Sequence, residues 1–316
     1  MTVRDLPNPV LAEVVRSGFA ESRHRGRLVL LGQNGAVTVA AGAVHAPMFP
    51  RSSNKPMQAA AMLDCGLKLD GTLLALAAAS HSGEEFHVAG VREILHGAGL
   101  SEADLQCPPE PDRIHMNCSG KHAAMLATCV VAGWPTASYR DPGHPLQVRI
   151  AATIERLAGE PVAATGVDGC GAPVFAVSLA GLARAFRALV LAEPGAAERR
   201  VADAMRAYPT WMSGTGRADA LIMGAVPGLL CKSGAEGVCA FALADGRAGA
   251  VKIDDGGQRA AAPVVASVLR RLAAAAAGAD RAAAADLAAL DRLAGPAVTG
   301  GGEPVGEIRP ILPEAL

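Results

Sequence analysis

A serine three residues ahead of a lysine, in Arg51-Ser52-Ser53-Asn54-Lys55, is the first arrangement in this chain that could do chemistry. That spacing puts Ser52 and Lys55 on one face of a helical turn. A serine hydroxyl is a poor nucleophile until a base takes its proton. A lysine whose charged form is disfavoured by burial or by a neighbouring cation can be that base. Alone the pattern is common, and Ser52 could equally be a helix cap. Pro56 disfavours α conformation at Lys55, so the helix is expected to open only beyond it.

Two further segments raise the value of the first. Ala79-Ser80-His81-Ser82-Gly83-Glu84-Glu85 closes an apolar run with a polar turn that would present hydroxyls to a cleft. Cys231-Lys232-Ser233-Gly234 ends a predicted strand. The order Ser-x-x-Lys, Ser-x-polar, Lys-Ser-Gly is similar to that of penicillin-binding proteins and serine β-lactamases. A lysine on an edge strand beside the nucleophile adds positive potential where a carboxylate binds and an oxyanion develops. The plainer alternative is a solvated turn at 80–85 and a surface lysine at 232.

Asn117-Cys118-Ser119-Gly120-Lys121-His122 precedes an apolar helix, and a helix start lowers a thiol pKa. Cys170 lies in a second glycine-rich turn, two residues after Asp168. If the turns meet, two thiolates and a third group could hold a soft divalent ion such as zinc. Spacing alone equally allows two small buried apolar residues, because free cysteine is commonly buried. His122 reads as a satisfied core histidine unless the loop before it turns into the cleft, where it would meet substrate. Gly214 and Arg217, in Ser213-Gly-Thr-Gly-Arg217, could offer backbone amides and a countercharge to a substrate carboxylate. There is no Walker loop, no GxGxxG after a strand and no HExxH, which argues against nucleotide, dinucleotide and zincin chemistry.

These groups need a scaffold. Strands are expected at 27–31 and 36–40, and at 229–234, 237–243 and 249–253. Helices are expected at 57–66, 73–79, 121–132, 146–157, 175–190, 199–208, 260–277 and 280–293. Helices interleaved with two groups of strands predict an α+β sandwich around one core, a single domain over 1–316. The Ala-rich tail from about 271 to 316 carries no motif and reads as composition bias. Of the 316 residues 51% are hydrophobic and 19% charged, ample for a core. Lys plus Arg is 29 against 30 for Asp plus Glu, and aromatics are 3%, so neither nucleic acid nor an anionic membrane is an expected partner. No uncharged apolar run is long enough to span a bilayer. Met1–Pro9 has no secretion-signal pattern, and seven cysteines form an odd set, so a cytoplasmic protein with reduced thiols is expected.

Taken together the chain resembles the Rhizobium-type L-asparaginases, the asparaginase II family. The likeness rests on Pro50-Arg-Ser-Ser-Asn-Lys-Pro56, Ser80-His-Ser-Gly-Glu84, Asn117-Cys-Ser-Gly-Lys-His122, Asp141-Pro-Gly-His-Pro145, Gly166-Val-Asp-Gly-Cys-Gly171, Gly214-Thr-Gly-Arg217, Lys232-Ser-Gly-Ala-Glu-Gly237 and Asp254-Asp-Gly256. The resemblance implies a serine β-lactamase/glutaminase-like sandwich, with an antiparallel sheet and flanking helices. It implies hydrolysis of L-asparagine to L-aspartate and ammonia by a homodimer. It further implies two serine–lysine pairs: Ser52 with Lys55, and Ser80 with a late lysine, Lys232 or else Lys252. A zinc ion held by Cys118, Lys121 and Cys170, with Asp168 adjacent, is also implied.

The mechanism expected is two-step amide hydrolysis. Ser52 attacks with Lys55 as base, and backbone amides and Lys232 stabilise the oxyanion. Arg51 or Arg217 would fix the α-carboxylate and Asp168 the α-ammonium. Two rivals are another serine–lysine amidohydrolase, acting on glutamine or a β-lactam, and a non-catalytic zinc- or thiol-responsive binding protein.

Overall fold

Ser17 and Gly18 both have positive φ, 49° and 82°, which is what a tight two-residue hairpin between right-twisted strands requires. In the computed structural model, which describes residues 8–276 and 285–314, this turn joins Val10–Arg16 (β1) to Phe19–Leu31 (β2). β2 therefore begins well before the expected strand at 27. Val37–Ala41 (β3) folds back on its second half, pairing Leu28 with Ala41 and Leu31 with Val37. Leu230–Gly234 (β7), Val238–Ala242 (β8) and Ala248–Ile253 (β9) form the expected meander. β9 pairs with β2 from Gly26↔Ile253 to Leu31↔Ala248.

The tail departs from expectation. Leu287–Ala294 (α11) leads into Ala297–Gly300 (β10) and Glu303–Pro310 (β11), and β11 pairs with β1 from Ala12↔Pro310 to Arg16↔Gly306. The final segment is thus part of the sheet, not a composition-biased appendage. The antiparallel order is β10-β11-β1-β2-β9-β8-β7. The first part of the helix expected at 280–293 lies outside the described residues.

Pro47–Met48 (β4), Ala164–Val167 (β5) and Pro173–Ser178 (β6) make a small second sheet ordered β4-β6-β5. Here the helix expected at 175–190 divides. Ser178 ends β6, and its Oγ accepts the Gly181 amide at 2.9 Å, capping Leu179–Leu191 (α6). Every residue of β8 is buried, because α6 and Gln258–Ala276 (α10) both pack on it.

Around the buried Lys55–Asp64 (α1) gather Gly71–Ala77 (α2), Ser119–Ala132 (α4), Pro145–Ala158 (α5) and Ala197–Ala207 (α7), with Glu85–Gly97 (α3) against α2 and α4. Pro209–Met212 (α8) and Ala218–Ala225 (α9) lead from this cluster to β7. One hydrophobic core runs from Leu11 to Ile308. The architecture is α+β, an antiparallel sheet flanked by helices. Among the described residues no helix is long and apolar enough to cross a membrane.

Candidate active site

Ser52 sits in a 3₁₀ turn, Arg51–Asn54, that runs directly into α1. The helix includes Lys55, contrary to the expectation that Pro56 would delay it. Proline is tolerated in a first turn, where its missing N–H has no carbonyl to reach. The turn is tied by the Ser53 amide and hydroxyl, which donate to Pro50 O at 3.2 and 2.6 Å. Arg51 enters it with φ of 53°, a conformation uncommon for a side chain with a Cβ. β7 abuts the same turn at Gly234, where an added Cβ would lie 2.5 Å from Pro50 O and 3.0 Å from Ser53 N. Glycine is what lets the strand end meet the serine turn.

Lys55 is buried, and its ammonium has three acceptors: Ala79 O, Ser80 Oγ at 3.0 Å and Cys118 Sγ at 3.0 Å. Burial pulls its pKa below the ordinary lysine value, opposed by Cys118 and reinforced by Lys121 and Lys232. A lysine in this state can lose a proton and then accept one.

Ser52 and Ser80 line one cavity of about 420 Å³, together with Asn117, Arg217, Asp219 and Ser233. Lys232 lies behind this wall, fully buried. It donates to Asp219 Oδ2 at 3.3 Å and to Ser233 O at 2.8 Å. The same carboxylate oxygen accepts the Ser233 amide at 3.0 Å and hydroxyl at 2.9 Å. Lys252 instead lies on β9 and bonds Ile253 O, outside the cavity lining.

The polar loops framing the cavity are stitched together by Glu84. It accepts Ser82 Oγ at 2.5 Å, Thr215 N at 2.9 Å and Thr215 Oγ1 at 2.8 Å, and these bonds hold its carboxyl down at about 2. Gly214 stands at this junction with φ of 132°, where a Cβ would strike Ser82 Oγ. His81 is fixed as a neutral ring. Gly83 N–H donates to Nδ1 at 3.1 Å, Ser119 donates its own proton to Ile114 O, and Nε2–H donates to Ser119 Oγ at 2.9 Å.

The sulfur residues converge beside Lys55. Lys121 Nζ donates to Cys170 Sγ at 3.0 Å. Hydrogen bonding between Cys118 and Cys170 keeps the proton on Cys118, whose pKa is pushed well up, and draws that of Cys170 well down. Burial acts to lower the Lys121 pKa, but the attraction of Cys170 and Cys118 outweighs it and the net shift is upward. His122 donates or accepts at Tyr139 OH, 2.6 Å from Nδ1, while its buried Nε2 has no hydrogen-bond partner and faces the Cys170 environment. Burial holds this ring down at about 4, so it is neutral. The two sulfurs and the Lys121 amine, once that amine gives up its proton, are a donor set that fits zinc.

Other expected contacts are arranged differently. Arg51 Nε donates to Asp168 Oδ1 at 2.7 Å, and its Nη1 lies 3.8 Å from Glu236, so Arg51 and Asp168 neutralise each other. Neither they nor His122 lines the cavity. Arg217 does. Sequence reasoning does not single out Asn117 or Asp219. Asn117 has a usable signal, standing next to Cys118 in its motif. Asp219 has none, because a lone acidic residue opening a short helix is an ordinary helix start.

A search among curated proteins finds no match. Among solved structures the chain is similar to a protein named Mglu in its native form, with 17% identity, TM-score 0.47 and coverage of 84% of this chain and 68% of that one. Mglu in its native form in 4.3 M NaCl gives 18% identity and TM-score 0.48, covering 87% and 67%. A β-lactamase from Burkholderia vietnamiensis gives 17% identity and TM-score 0.37, covering 86% and 92%. A family model described as L-asparaginase II matches residues 12–310.

Proposed function

From the premise that the chain belongs to the L-asparaginase II family, and so to the amidohydrolases, we propose that it hydrolyses the side-chain amide of L-asparagine to L-aspartate and ammonia. The observation that carries the reading is a buried lysine amine bonded to Ser80 Oγ at the wall of a cavity that Ser52 also lines.

Ser52 is the nucleophile. Lys55, one turn further on and biased by burial toward the free amine, takes its proton as Oγ attacks the amide carbon. Ser80, 3.0 Å from Lys55 Nζ, passes that proton to the departing nitrogen, so that ammonia leaves and an acyl-serine remains. Water then attacks the ester. Lys55 takes its proton and hands it to Ser52 Oγ as the ester bond breaks, so the serine is regenerated and aspartate departs. Lys232, with backbone amides near Ser52, opposes the oxyanion charge, and Asp219 with Ser233 fixes where that ammonium stands. Arg217 receives the α-carboxylate. Asp219, on the same wall, supplies negative charge for the α-ammonium. The role expected of Arg51 and Asp168 is open to them only when their ion pair parts.

Cys118, Lys121 and Cys170 would hold zinc, which would supply a fixed positive charge beside the base and a tie between α4 and the 168–172 loop. A homodimer in the cytoplasm belongs to the same reading, supported by the family resemblance, and light scattering of the full chain tests the dimer.

The deciding experiment is ammonia release from L-asparagine and L-glutamine, with the absorbance change of a chromogenic β-lactam alongside, for wild type, Ser52→Ala, Ser80→Ala and Lys55→Met. Asparagine should be the preferred substrate, and Ser52→Ala and Lys55→Met should each lose on the order of 10³-fold or more in kcat, since each removes a covalent or proton-transfer step. Near-normal turnover by a natively folded Ser52→Ala would move the nucleophile to Ser80. Metal binding without ammonia release from any amide would favour the binding-protein alternative.

A further inference from the structure

On the sheet side of the cavity, away from Cys118 and Cys170, stands a second group of metal-ligating atoms. Cys231 on β7 and Cys239 on β8 are diagonal neighbours, because the register pairs Ser233 with Cys239 and Cys231 with Phe241. Their sulfurs lie 3.6 Å apart. Asp219, from the first turn of α9, completes a set whose ligand atoms all fall within 4.8 Å of one another, and all three residues are buried. The hydrogen bonds that Asp219 accepts from Lys232 and Ser233 fall on Oδ2, which leaves Oδ1 for another partner. Access is provided: Cys239 and Asp219 both line the cavity, whereas Cys231 stands behind them.

We propose that Asp219, Cys231 and Cys239 form a binding site for a thiophilic divalent cation, distinct from the Cys118–Lys121–Cys170 cluster. Two sulfurs and one carboxylate oxygen leave a fourth, tetrahedral position open toward the cavity. Binding replaces the two thiol protons, which pass to solvent, by the doubly charged ion. Strands β7 and β8 are paired over their full length, so the two sulfurs are presented by rigid backbone and need little reorganisation. The ion would share Asp219 with Lys232 and compete for its free oxygen with the substrate α-ammonium, so its occupancy bears on a carboxylate that also orders the cavity wall.

The test is a cadmium titration of the reduced, metal-stripped full chain, read by thiolate-to-metal charge-transfer absorption and equilibrium dialysis. Cys231→Ser and Cys231→Ala should each bind one equivalent fewer than wild type, whether or not the other cysteine cluster takes an ion. Unchanged stoichiometry and affinity in these variants would overturn the site. Should both variants fold poorly, anomalous diffraction from cadmium-loaded wild type decides. A peak bonded to both Cys231 and Cys239 sulfurs is expected, and a peak confined to Cys118 and Cys170 refutes the proposal. Neither readout depends on amide hydrolysis, so the outcome stands apart from that of the proposed reaction.

Discussion

His81 shows how much a single protonation state can demand. Its Nδ1 must stay an acceptor for Gly83 N–H, and burial first, then His87, Lys55 and His115, hold its pKa down at about 3. The unfolded chain therefore binds more protons at this position between about pH 6.5 and pH 3. Stability should be complete above the ordinary histidine range and fall as pH drops through that window, by up to about 1.4 kcal/mol per pH unit from this ring alone. Urea unfolding at pH 7, 6 and 5 measures the slope, and His81→Gln should flatten it. Individual chemistry is the most readable level in the sequence: Ser52, Lys55, Ser80 and Arg217 stand out by type and order, whereas Cys118, Lys121 and Cys170 are singled out as a set only through the family resemblance. What sequence does not reveal is pairing across distance. Arg51 and Asp168 each look like a free handle for substrate until the fold places one on the other.

At the scale of elements, the site depends on a strand end meeting a turn. Gly234→Ala would drive a methyl group into Pro50 O and push β7 from the Ser52 turn. A loss of about 1–3 kcal/mol is expected from such overpacking, with turnover falling more than stability alone explains; thermal unfolding and kinetics on the same preparation separate the two. Glu84→Ala cuts the bonds that join the Ser80 loop to the loop bearing Arg217. It should raise KM for asparagine severalfold with a smaller change in kcat, because Ser52 and Lys55 stay fixed on the 3₁₀ turn and α1 while the substrate handle loosens. Helices are legible where apolar spacing repeats, as in α4 and α5. Boundaries are not. β6 and the first turn of α6 have no charged residue between them, and only the Ser178 cap, supported by Glu160, says where extended backbone turns helical.

For the whole molecule, the decisive contact is β1 with β11. Removing residues 295–316 would strip β1 of its outer partner and uncover Ile308's site on the core. The truncated chain should unfold at markedly lower temperature and associate through the bared edge, observable by calorimetry and size-exclusion chromatography. The sequence hides this because strand pairing between distant segments leaves no local periodicity, and the alanine-rich composition before β10 masks the two strands beyond it. The same sheet has a consequence in time. β2 acquires β1 and β3 from its immediate neighbours, but its other flank waits for β9, and β1 waits for β11. A nascent polypeptide leaving the ribosome would carry half-dressed strands through most of its synthesis, and spontaneous renaturation after dilution from urea should be slow and prone to clumping as concentration rises.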